Sequence, residues 1–547
     1  MLQGRGKSVC DGVSIGTVYL YQKKKAVTNN RPFLGVEEET AALLAAVERA
    51  RTQLGELYEN TVEELGEEHA AIFEVHQMLL EDEDFIDAMK AKISEEQMVA
   101  AEAAAQAGEE FAGLMAAMDD DYMRERAADF RDISGRVSRI LSGVGDSKIV
   151  FNEPVIVVAE DLEPSETVSF DKSMIRGFVL QKGSTNSHTA ILARVMNVPS
   201  VVSTGIELDD SLVGQIMVVD GYEGSYIVGP TPEVLEATHA RLEDEEKKRS
   251  ALEALRGKDS ISADGRQIHV YSNIGHPDDV DKVLEYDGEG IGLFRSEFLY
   301  LGRNDYPSEE EQFEAYKAVA ERMNGKKVII RTLDIGADKQ AVYFQLPPEE
   351  NPAMGLRAIR ICLSNEALFK TQLRAILRAS EYGNISIMFP MIISVEEVEA
   401  CREQLEAVKA ELRAEGKKVK DIEMGIMIET PAAVMMAEEL AELVDFFSVG
   451  TNDLTQYTLA VDRQNEKIES YYNAKHPAIM KMLAKIGAAA RQAGIWAGIC
   501  GELGGDLTIT EQVLQMGFEE LSVSPGLTLK LREKIAASYV NPPADRV

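Results

Sequence analysis

The stretch Gly183-Ser-Thr-Asn-Ser-His188-Thr-Ala-Ile-Leu-Ala-Arg194 places one histidine among small hydroxyl residues, directly before a helical pattern. Apolar runs at 177–180 and 198–202 enclose it, which predicts strand, loop, helix and strand in that order. His188 then lies at a helix N-terminus, where backbone N–H groups and nearby hydroxyls suit a phosphoryl group. Taken alone the motif is weak, because a histidine after such a turn is more often a capping or surface residue.

The composition is that of a globular protein, with 45% apolar and 27% charged residues in 547, enough for about three or four domains. No apolar run approaches the roughly 20 residues that span a bilayer, and the first residues lack the apolar segment of a signal peptide. Cys10, Cys362, Cys401 and Cys500 lie far apart without metal-ligand spacing. We therefore expect a reduced, cytoplasmic protein with no membrane insertion.

The formal net charge of −36 argues against nucleic acid as a partner, because a phosphate backbone requires a basic surface. It favours a basic protein partner instead. A small anionic substrate would need arginines concentrated locally against this acidic background, so clustered arginines become informative.

Amino-acid composition and hydrophobic periodicity divide the chain into four parts. An α/β domain is predicted at 1–34 and 146–230, with a strand-like opening over residues 1–22 and a basic turn at Lys23-Lys-Lys25. Residues 35–145, rich in Glu, Ala and Leu with apolar residues at three and four spacings, predict an inserted helical bundle. Residues 231–260 predict a charged linker helix with Pro232 in its first turn, and 261–547 form the last domain.

Acidic residues lie at both ends of the helical stretch 67–84 in the bundle. For an isolated stretch, a solvated helix with a packed or exposed histidine is the ordinary interpretation. The net charge favours a docking surface for a basic partner as the hypothesis. Its candidate residues are Glu67, Glu68, His76, Asp82, Glu83 and Asp84.

From residue 261 onward an apolar run, a loop and a long helix recur. The strand candidates are 268–273, 290–295, 328–331, 385–390, 424–429, 446–450, 496–500 and 520–524. Eight strands separated by helical sequence predict a (β/α)8 TIM barrel.

Chemically useful side chains follow these strands, at the C-terminal face where barrel enzymes place reacting groups. They are Asn273, Arg295, Arg331, Glu429, Asn452, Asp453 and Cys500. Arginines suit phosphate and carboxylate groups, carboxylates suit Mg²⁺, and a thiol can exchange a proton. Singly, Arg295 could pair with Glu297, Glu429 could cap a helix, and Cys500 could be a small buried residue.

Seven motifs follow one another over nearly the whole chain. They are the His188 stretch, Gly-Ile-Gly-Leu-Phe-Arg295-Ser-Glu, Ile-Ile-Arg331-Thr-Leu-Asp, Glu-Asn-Pro-Ala-Met-Gly-Leu-Arg357, Met-Ile-Glu429-Thr-Pro, Gly-Thr-Asn452-Asp453-Leu and Gly-Ile-Cys500-Gly-Glu. With these motifs the sequence resembles enzyme I of the bacterial sugar phosphotransferase system, the phosphoenolpyruvate–protein phosphotransferases.

The resemblance implies that His188 takes the phosphoryl group of phosphoenolpyruvate and passes it to the phosphocarrier protein HPr. It assigns proton donation to the enolate, giving pyruvate, to Cys500, and Mg²⁺ binding to Glu429 and Asp453. It also assigns HPr docking to the bundle and homodimerisation to the barrel. The implied substrate-binding residues are Arg295, Arg331, Arg357, Asn452 and Arg463.

Two hypotheses accompany this reading. A hydroxyl of Thr167 or Thr189 orients the His188 ring, and the helix at 232–257 is the pivot on which the histidine domain moves. One departure from the family pattern is Lys182 before Gly183, where a second glycine is expected.

Two alternatives remain open from the sequence. A pyruvate phosphate dikinase or phosphoenolpyruvate synthase shares the phosphohistidine domain and barrel, but it needs a nucleotide-binding domain, and no Gly-rich phosphate loop precedes His188 here. A non-catalytic regulator that docks HPr would not need Arg295, Glu429, Asp453 and Cys500 together with His188.

Overall fold

The computed structural model describes the chain in two compact units, Met1–Lys247 and Lys248–Val547. It describes all residues except 1, 23–31, 66, 119–120, 144–148, 163–165, 168–169, 186, 337–341, 347–348 and 542–547. Side chains are also left undescribed at 60, 63–65, 67–69, 121–125, 188, 195, 342, 466 and 469. The predicted basic turn at Lys23-Lys-Lys25 lies outside the described residues.

The first unit contains an eight-stranded mixed sheet in the order β1-β8-β7-β3-β4-β5-β6-β2. Its strands are Leu2–Arg5, Lys7–Cys10, Val13–Leu20, Val155–Ala159, Ile175–Leu180, Ser200–Val202, Ile216–Asp220 and Ser225–Val228, numbered β1 to β8. β4 is buried throughout: Val155 and Val157 pack in one core cluster and Ile156 and Val158 in another. Because successive side chains of a strand point to opposite faces of the sheet, these two clusters show that both faces are covered.

A helical bundle is inserted between β3 and β4, which nevertheless pair in parallel as neighbouring strands. Its helices are Val36–Leu65, Glu67–Leu79, Glu83–Glu95, Ala100–Ala116 and Asp121–Leu141. Along the fourth helix, Ala100, Ala103, Ala104 and Ala107 form one fully buried stripe at helical spacing. A Cβ on Gly108 would lie 1.9 Å from Ser134 Oγ, so this glycine permits the close approach of the fifth helix.

His76 lies inside this bundle and not on its surface. Its side chain has no exposed area, and its Nε2 lies 3.1 Å from Asp129 Oδ1 while its Nδ1 lies 4.0 Å from Asp132 Oδ2. The prediction that His76 belongs to a docking surface is therefore wrong, because a partner cannot reach it in the folded bundle. On the fifth helix, Asp129 hydrogen-bonds Nε2 of the ring, whereas Nδ1 has no hydrogen-bond partner among the described residues.

The other acidic candidates occupy different environments. Asp82, Glu83 and Asp84 are exposed, and Asp82 accepts a hydrogen bond from Phe85 N at 3.1 Å as the N-cap of the third bundle helix. The side chains of Glu67 and Glu68 lie outside the described part of the chain. A docking role for these five residues stays a prediction.

The second unit is a closed barrel of eight parallel strands, as expected for a TIM barrel. Strands β9 to β16 are His269–Ile274, Ile291–Phe294, Lys327–Arg331, Asn384–Phe389, Glu423–Ile428, Phe446–Val449, Trp496–Ile499 and Glu520–Val523. Each predicted run matches one strand to within two residues at either end. The barrel closes where β16 pairs with β9, with Glu520 opposite His269.

Helices precede and surround this barrel. Pro232–Glu253 contains no buried residue and crosses from one unit into the other at Lys247. The others are Asp279–Glu285, Glu309–Arg322, Ile359–Ser364, Glu366–Ala379, Val395–Ala414, Pro431–Met435, Ala437–Ala441, Thr451–Leu459, Pro477–Ala493, Thr510–Met516 and Thr528–Ala536. In the described part of the chain, no helix combines the length and apolar character needed to cross a membrane.

Candidate active site

A cavity of about 460 Å³ opens at the C-terminal ends of the barrel strands. The barrel residues predicted from the sequence that line it are Arg295, Arg331, Arg357, Glu429, Asn452, Asp453, Arg463 and Cys500. Asn273 is not in the lining; its amide donates to the backbone oxygens of Cys500 and Ser522 at 3.0 and 3.3 Å. Asn273 therefore ties three strands together beneath the cavity.

Buried ion pairs fix two of the arginines. Arg331, at the end of β11, donates to Glu297, and its Nη1 lies 2.8 Å from Asp334 Oδ2. Arg357 contacts the other oxygen of the same Asp334 at 2.8 Å. Although burial opposes their charge, these carboxylates raise the pKa of both arginines above the ordinary value. Both guanidinium groups are therefore cationic and held in place.

Arg295 differs from this pair. Its side chain is exposed and makes no ion pair with any residue that the structure describes. The structure does not pair Arg295 with Glu297, the alternative considered from the sequence; Glu297 pairs with Arg331. Arg295 is thus a charged group at the cavity without a protein partner among the described residues.

Two further predicted residues lie at the rim. Arg463 Nη2 is 3.8 Å from Asp453 Oδ1, and its side chain is 40% exposed. Asn452 donates to Glu502 Oε1 at 3.0 Å and accepts from Glu502 N at 3.1 Å. These two hydrogen bonds fix the orientation of the Asn452 amide.

Glu429 and Asp453 are the carboxylates available for a cation. Glu429 is buried, and its Oε1 accepts from Met391 N at 2.6 Å; Met391 holds a left-handed backbone with φ 59°. A Cβ on Gly450 would lie 2.6 Å from Glu429 Oε2, so this glycine makes room for the carboxylate. Burial, with the nearby carboxylates of Asp453 and Asp334, raises the pKa of Glu429.

This donor set suits Mg²⁺ better than a metal enclosed by protein ligands. Among the described residues, no group of three or more His, Cys, Asp or Glu side chains is arranged to hold a metal. Mg²⁺ commonly binds one or two carboxylates and completes its octahedron with water and substrate phosphate. Glu429 and Asp453, two carboxylates that line the same cavity, are consistent with that mode.

Cys500 lies at the floor of the cavity, at the end of β15. Its side chain is 3% exposed, and its thiol lies 3.6 Å from Val449 O. Burial raises the pKa of Cys500 to about 12. The sulfur is therefore a neutral S–H group at cellular pH, which is the form that donates a proton.

The His188 segment belongs to the first unit. The helix His188–Val195 begins directly at His188, with Ser187 as N-cap accepting from Ala190 N at 3.3 Å. Ser203 donates to Gly183 O at 2.6 Å and Arg194 to Thr185 O at 2.7 Å, so both flanks hold the loop. The side chain of His188 itself lies outside the described part of the chain.

The two candidate orienting hydroxyls are both buried. Thr189 donates its single hydroxyl hydrogen to Leu162 O at 3.2 Å, which leaves it only the acceptor role toward an imidazole N–H. Thr167 is 5% exposed. The unexpected Lys182 pairs with Glu160 at 2.6 Å on the surface, and only Gly183, with φ +94°, needs a glycine there.

The sequence reasoning missed Asp334 and Tyr457. Asp334 bridges the two buried arginines, and Tyr457 accepts from Arg357 Nη1 at 3.0 Å. A signal existed for Asp334, since a carboxylate three residues after the strand-ending Arg331 stays at the same face. Tyr457 carried no such signal, because its partner lies in a distant loop.

Comparison with known families covers the chain in three consecutive segments. The matching models are PEP-utilising enzyme, N-terminal, over residues 5–126, the mobile domain over 151–224, and the PEP-binding domain over 249–540. The barrel cavity lies within the third segment and His188 within the second.

Curated relatives match nearly the full chain. The phosphoenolpyruvate-protein phosphotransferases of Priestia megaterium and Listeria innocua are each 42% identical over 97% of this chain and 93% of their own. That of Staphylococcus carnosus is 41% identical over the same shares. An NMR solution structure of Enzyme I (nEIt) is 34% identical over 44% of this chain and 99% of its own, with a TM-score of 0.37.

Proposed function

This chain belongs to the phosphoenolpyruvate–protein phosphotransferases, and we propose that it moves the phosphoryl group of phosphoenolpyruvate through His188 to the phosphocarrier protein HPr. HPr would then feed sugar uptake by the phosphotransferase system. The observation that carries the proposal is the barrel cavity, where arginines, two carboxylates and a neutral thiol converge. The dikinase-like alternative is set aside, because the phosphotransferase relatives match nearly the whole chain.

The arginines would hold the anionic substrate. Arg295, without a partner among the described residues, is suited to the phosphate, together with Arg331. Arg357, Arg463 and Asn452 complete the contacts around the carboxylate end. Arg331 and Arg357 already share Asp334, so they position the substrate more than they neutralise it.

Two carboxylates of the cavity are the candidate ligands of a divalent cation. Glu429 and Asp453 would hold Mg²⁺, which would supply charge neutralisation for the anionic substrate. Glu429 is oriented for this by the Met391 N–H. Phosphoryl transfer depends chiefly on such positioning and charge neutralisation.

The chemical steps balance without a further reactant. The bond between phosphorus and the enol oxygen breaks as a bond forms to an imidazole nitrogen of His188, leaving the enolate of pyruvate. Cys500 gives its S–H proton to the methylene carbon, and the resulting thiolate regains a proton from solvent. A neutral histidine is available for attack because the ordinary pKa is about 6.5.

The remaining assignments follow the same proposal. Residues 1–34 and 146–230 form the phosphohistidine domain, 35–145 dock HPr through acidic side chains such as Glu83 and Asp84, and 261–547 bind phosphoenolpyruvate and form a homodimer. The charged helix within 231–260 allows His188 to visit both partners. Its lack of buried residues supports a role as pivot.

The test is steady-state formation of pyruvate from phosphoenolpyruvate with HPr as acceptor. Turnover should require HPr and a divalent cation, and ATP should not replace phosphoenolpyruvate. Pyruvate formation that persists after chelation, or phospho-HPr formed only from ATP, would refute the proposal. Glu429→Gln should abolish turnover, while Glu438→Gln, on an exposed helix position, serves as the matched control.

A further inference from the structure

A second cavity, of about 170 Å³, lies at the opposite, N-terminal end of the barrel. Its lining includes Tyr271, Lys327, Glu423, Trp496, Glu519 and Glu520. Four strands contribute their first residues to this cavity, which we also call the N-terminal mouth of the barrel. These residues are Lys327, Glu423, Trp496 and Glu520. Neither the sequence motifs nor the proposed reaction uses any of these residues.

Glu520 is the unusual member of the lining. Its side chain is 1% exposed; Oε1 accepts from the Ser522 hydroxyl, whereas Oε2 has no hydrogen-bond partner among the described residues. A Cβ on Gly498 would lie 1.8 Å from Oε2, so a glycine on the neighbouring strand makes room for this oxygen. A buried carboxylate oxygen without a donor is costly, and a ligand that donates to it would remove that cost.

The other carboxylates of the mouth already have cations. Lys327 Nζ lies 2.6 Å from Glu423 Oε2, and Arg266 lies 3.8 Å from Glu519 Oε1. Within the described residues, no cation forms an ion pair with Glu520. The charge that a ligand must match is therefore the Glu520 carboxylate.

The wall of the cavity accepts both cations and alkyl groups. Trp496 stacks on Phe446 with ring centroids 4.4 Å apart, and the Lys327 ammonium already lies 5.2 Å from the Trp496 ring centroid. Tyr271 is 7% exposed and adds a second aromatic surface. Aromatic faces beside a carboxylate are the usual recognition chemistry for organic ammonium groups.

We propose that this cavity binds a primary alkylammonium ligand whose N–H groups donate to the free oxygen of Glu520 while its alkyl part lies against Tyr271 and Trp496. A primary ammonium fits better than an inorganic cation because the wall is aromatic. A cavity of about 170 Å³ admits a small amine. The cavity contains none of the residues proposed to take part in phosphotransfer, so this proposal is tested independently of the proposed function.

Proton linkage follows from the chemistry of Glu520. Burial raises its pKa to about 8, whereas the ammonium pairs with the ionised carboxylate. Binding below that pH should therefore release a proton, and affinity should rise about tenfold per pH unit up to it. The charged and titratable groups facing Glu520 are His269, Tyr271, Lys327, Glu423 and Glu519.

The test uses the full-length protein and the fluorescence of Trp496, its only tryptophan. We expect a saturable change on titration with n-butylammonium chloride, and none with n-butanol or with KCl at matched ionic strength. Glu520→Gln should weaken binding at least tenfold and remove its pH dependence. The adjacent Glu519→Gln, half exposed, should change affinity less than threefold.

Three results would overturn the proposal: no saturable change in the wild type, an equal response to KCl or butanol, or an equal loss in Glu519→Gln and Glu520→Gln. A second measurement needs no variant. In weakly buffered solution near pH 7, adding n-butylammonium to the wild type should release protons in proportion to occupancy, and their absence would also overturn the proposal. Circular dichroism checks that each variant is folded.

Discussion

At the scale of single residues, the arginines of the barrel cavity do different work. Arg331 is 6% exposed and bound by two carboxylates, whereas Arg295 is exposed and without an ion pair among the described residues. Removing a buried charge leaves its partners unsatisfied, while removing an exposed one does not. Substitution of Arg331 should therefore lower both the stability of the protein and its affinity for substrate, whereas substitution of Arg295 should lower only the affinity.

Arg295→Met should weaken phosphoenolpyruvate binding about 10- to 100-fold, the loss expected for a charged hydrogen bond, and leave stability unchanged. Arg331→Met should weaken binding and also lower the free energy of unfolding by about 3–5 kcal/mol. Isothermal titration and urea unfolding measure the two quantities. An equal loss of stability in both variants would contradict the difference drawn between them.

Cys500→Ala should reduce the enzyme-dependent incorporation of solvent deuterium into the pyruvate methyl group about 100-fold or more. Burial raises the pKa of Cys500 to about 12, so the protonated form persists as pH rises and is lost only near that value. The wild-type rate should therefore show no decline from this thiol between about pH 6 and pH 9. Cys401→Ala, another buried cysteine outside the cavity, is the control.

At the scale of elements, the helix His188–Val195 begins at the residue that we propose to be phosphorylated, so its N-cap bears directly on that residue. Ser187→Ala removes the hydrogen bond from Ala190 N and should cost about 1 kcal/mol. Fraying of the first turn should also slow phosphorylation by phosphoenolpyruvate in a rapid-quench measurement.

Ser308 offers the matched control, since it caps the barrel helix Glu309–Arg322 with the same kind of hydrogen bond. Ser308→Ala should lose similar stability and keep its phosphorylation rate. Equal slowing in both variants would mean that general destabilisation, not the cap, sets the rate.

The barrel strands could be predicted from the sequence because each is a short apolar run bounded by helical sequence. The eight strands appear where the runs placed them. Strands β1 and β2 at Leu2–Arg5 and Lys7–Cys10 could not be predicted individually, because they are largely exposed and polar and are defined by pairing with β8 and β6. The local sequence pattern does not indicate which strands these two pair with.

The candidate site shows the same limit. Strand ends predicted Arg331, Glu429 and Cys500 as neighbours, because parallel strands finish at one face. Tyr457 and the burial of His76 depended on partners far away in sequence, Arg357 and Asp129. Charge and helical position alone made His76 a surface candidate.

At the scale of the whole molecule, two compact units with separate cores predict more than one unfolding transition. Phosphoenolpyruvate with Mg²⁺ should raise only the transition of the barrel unit, because the proposed site lies in that folded unit alone. Differential scanning calorimetry of the full chain measures this. A single transition, or an equal shift of all transitions, would contradict the prediction.

We propose that a histidine on one unit receives phosphate from a cavity in the other. The most direct measurement is mass-spectrometric mapping of phosphate after brief reaction with phosphoenolpyruvate and Mg²⁺, under conditions that preserve acid-labile groups. We expect phosphate on His188 in the wild type, little in Arg295→Met, and none in His188→Ala. Phosphate on another residue, or undiminished labelling of His188→Ala, would contradict it.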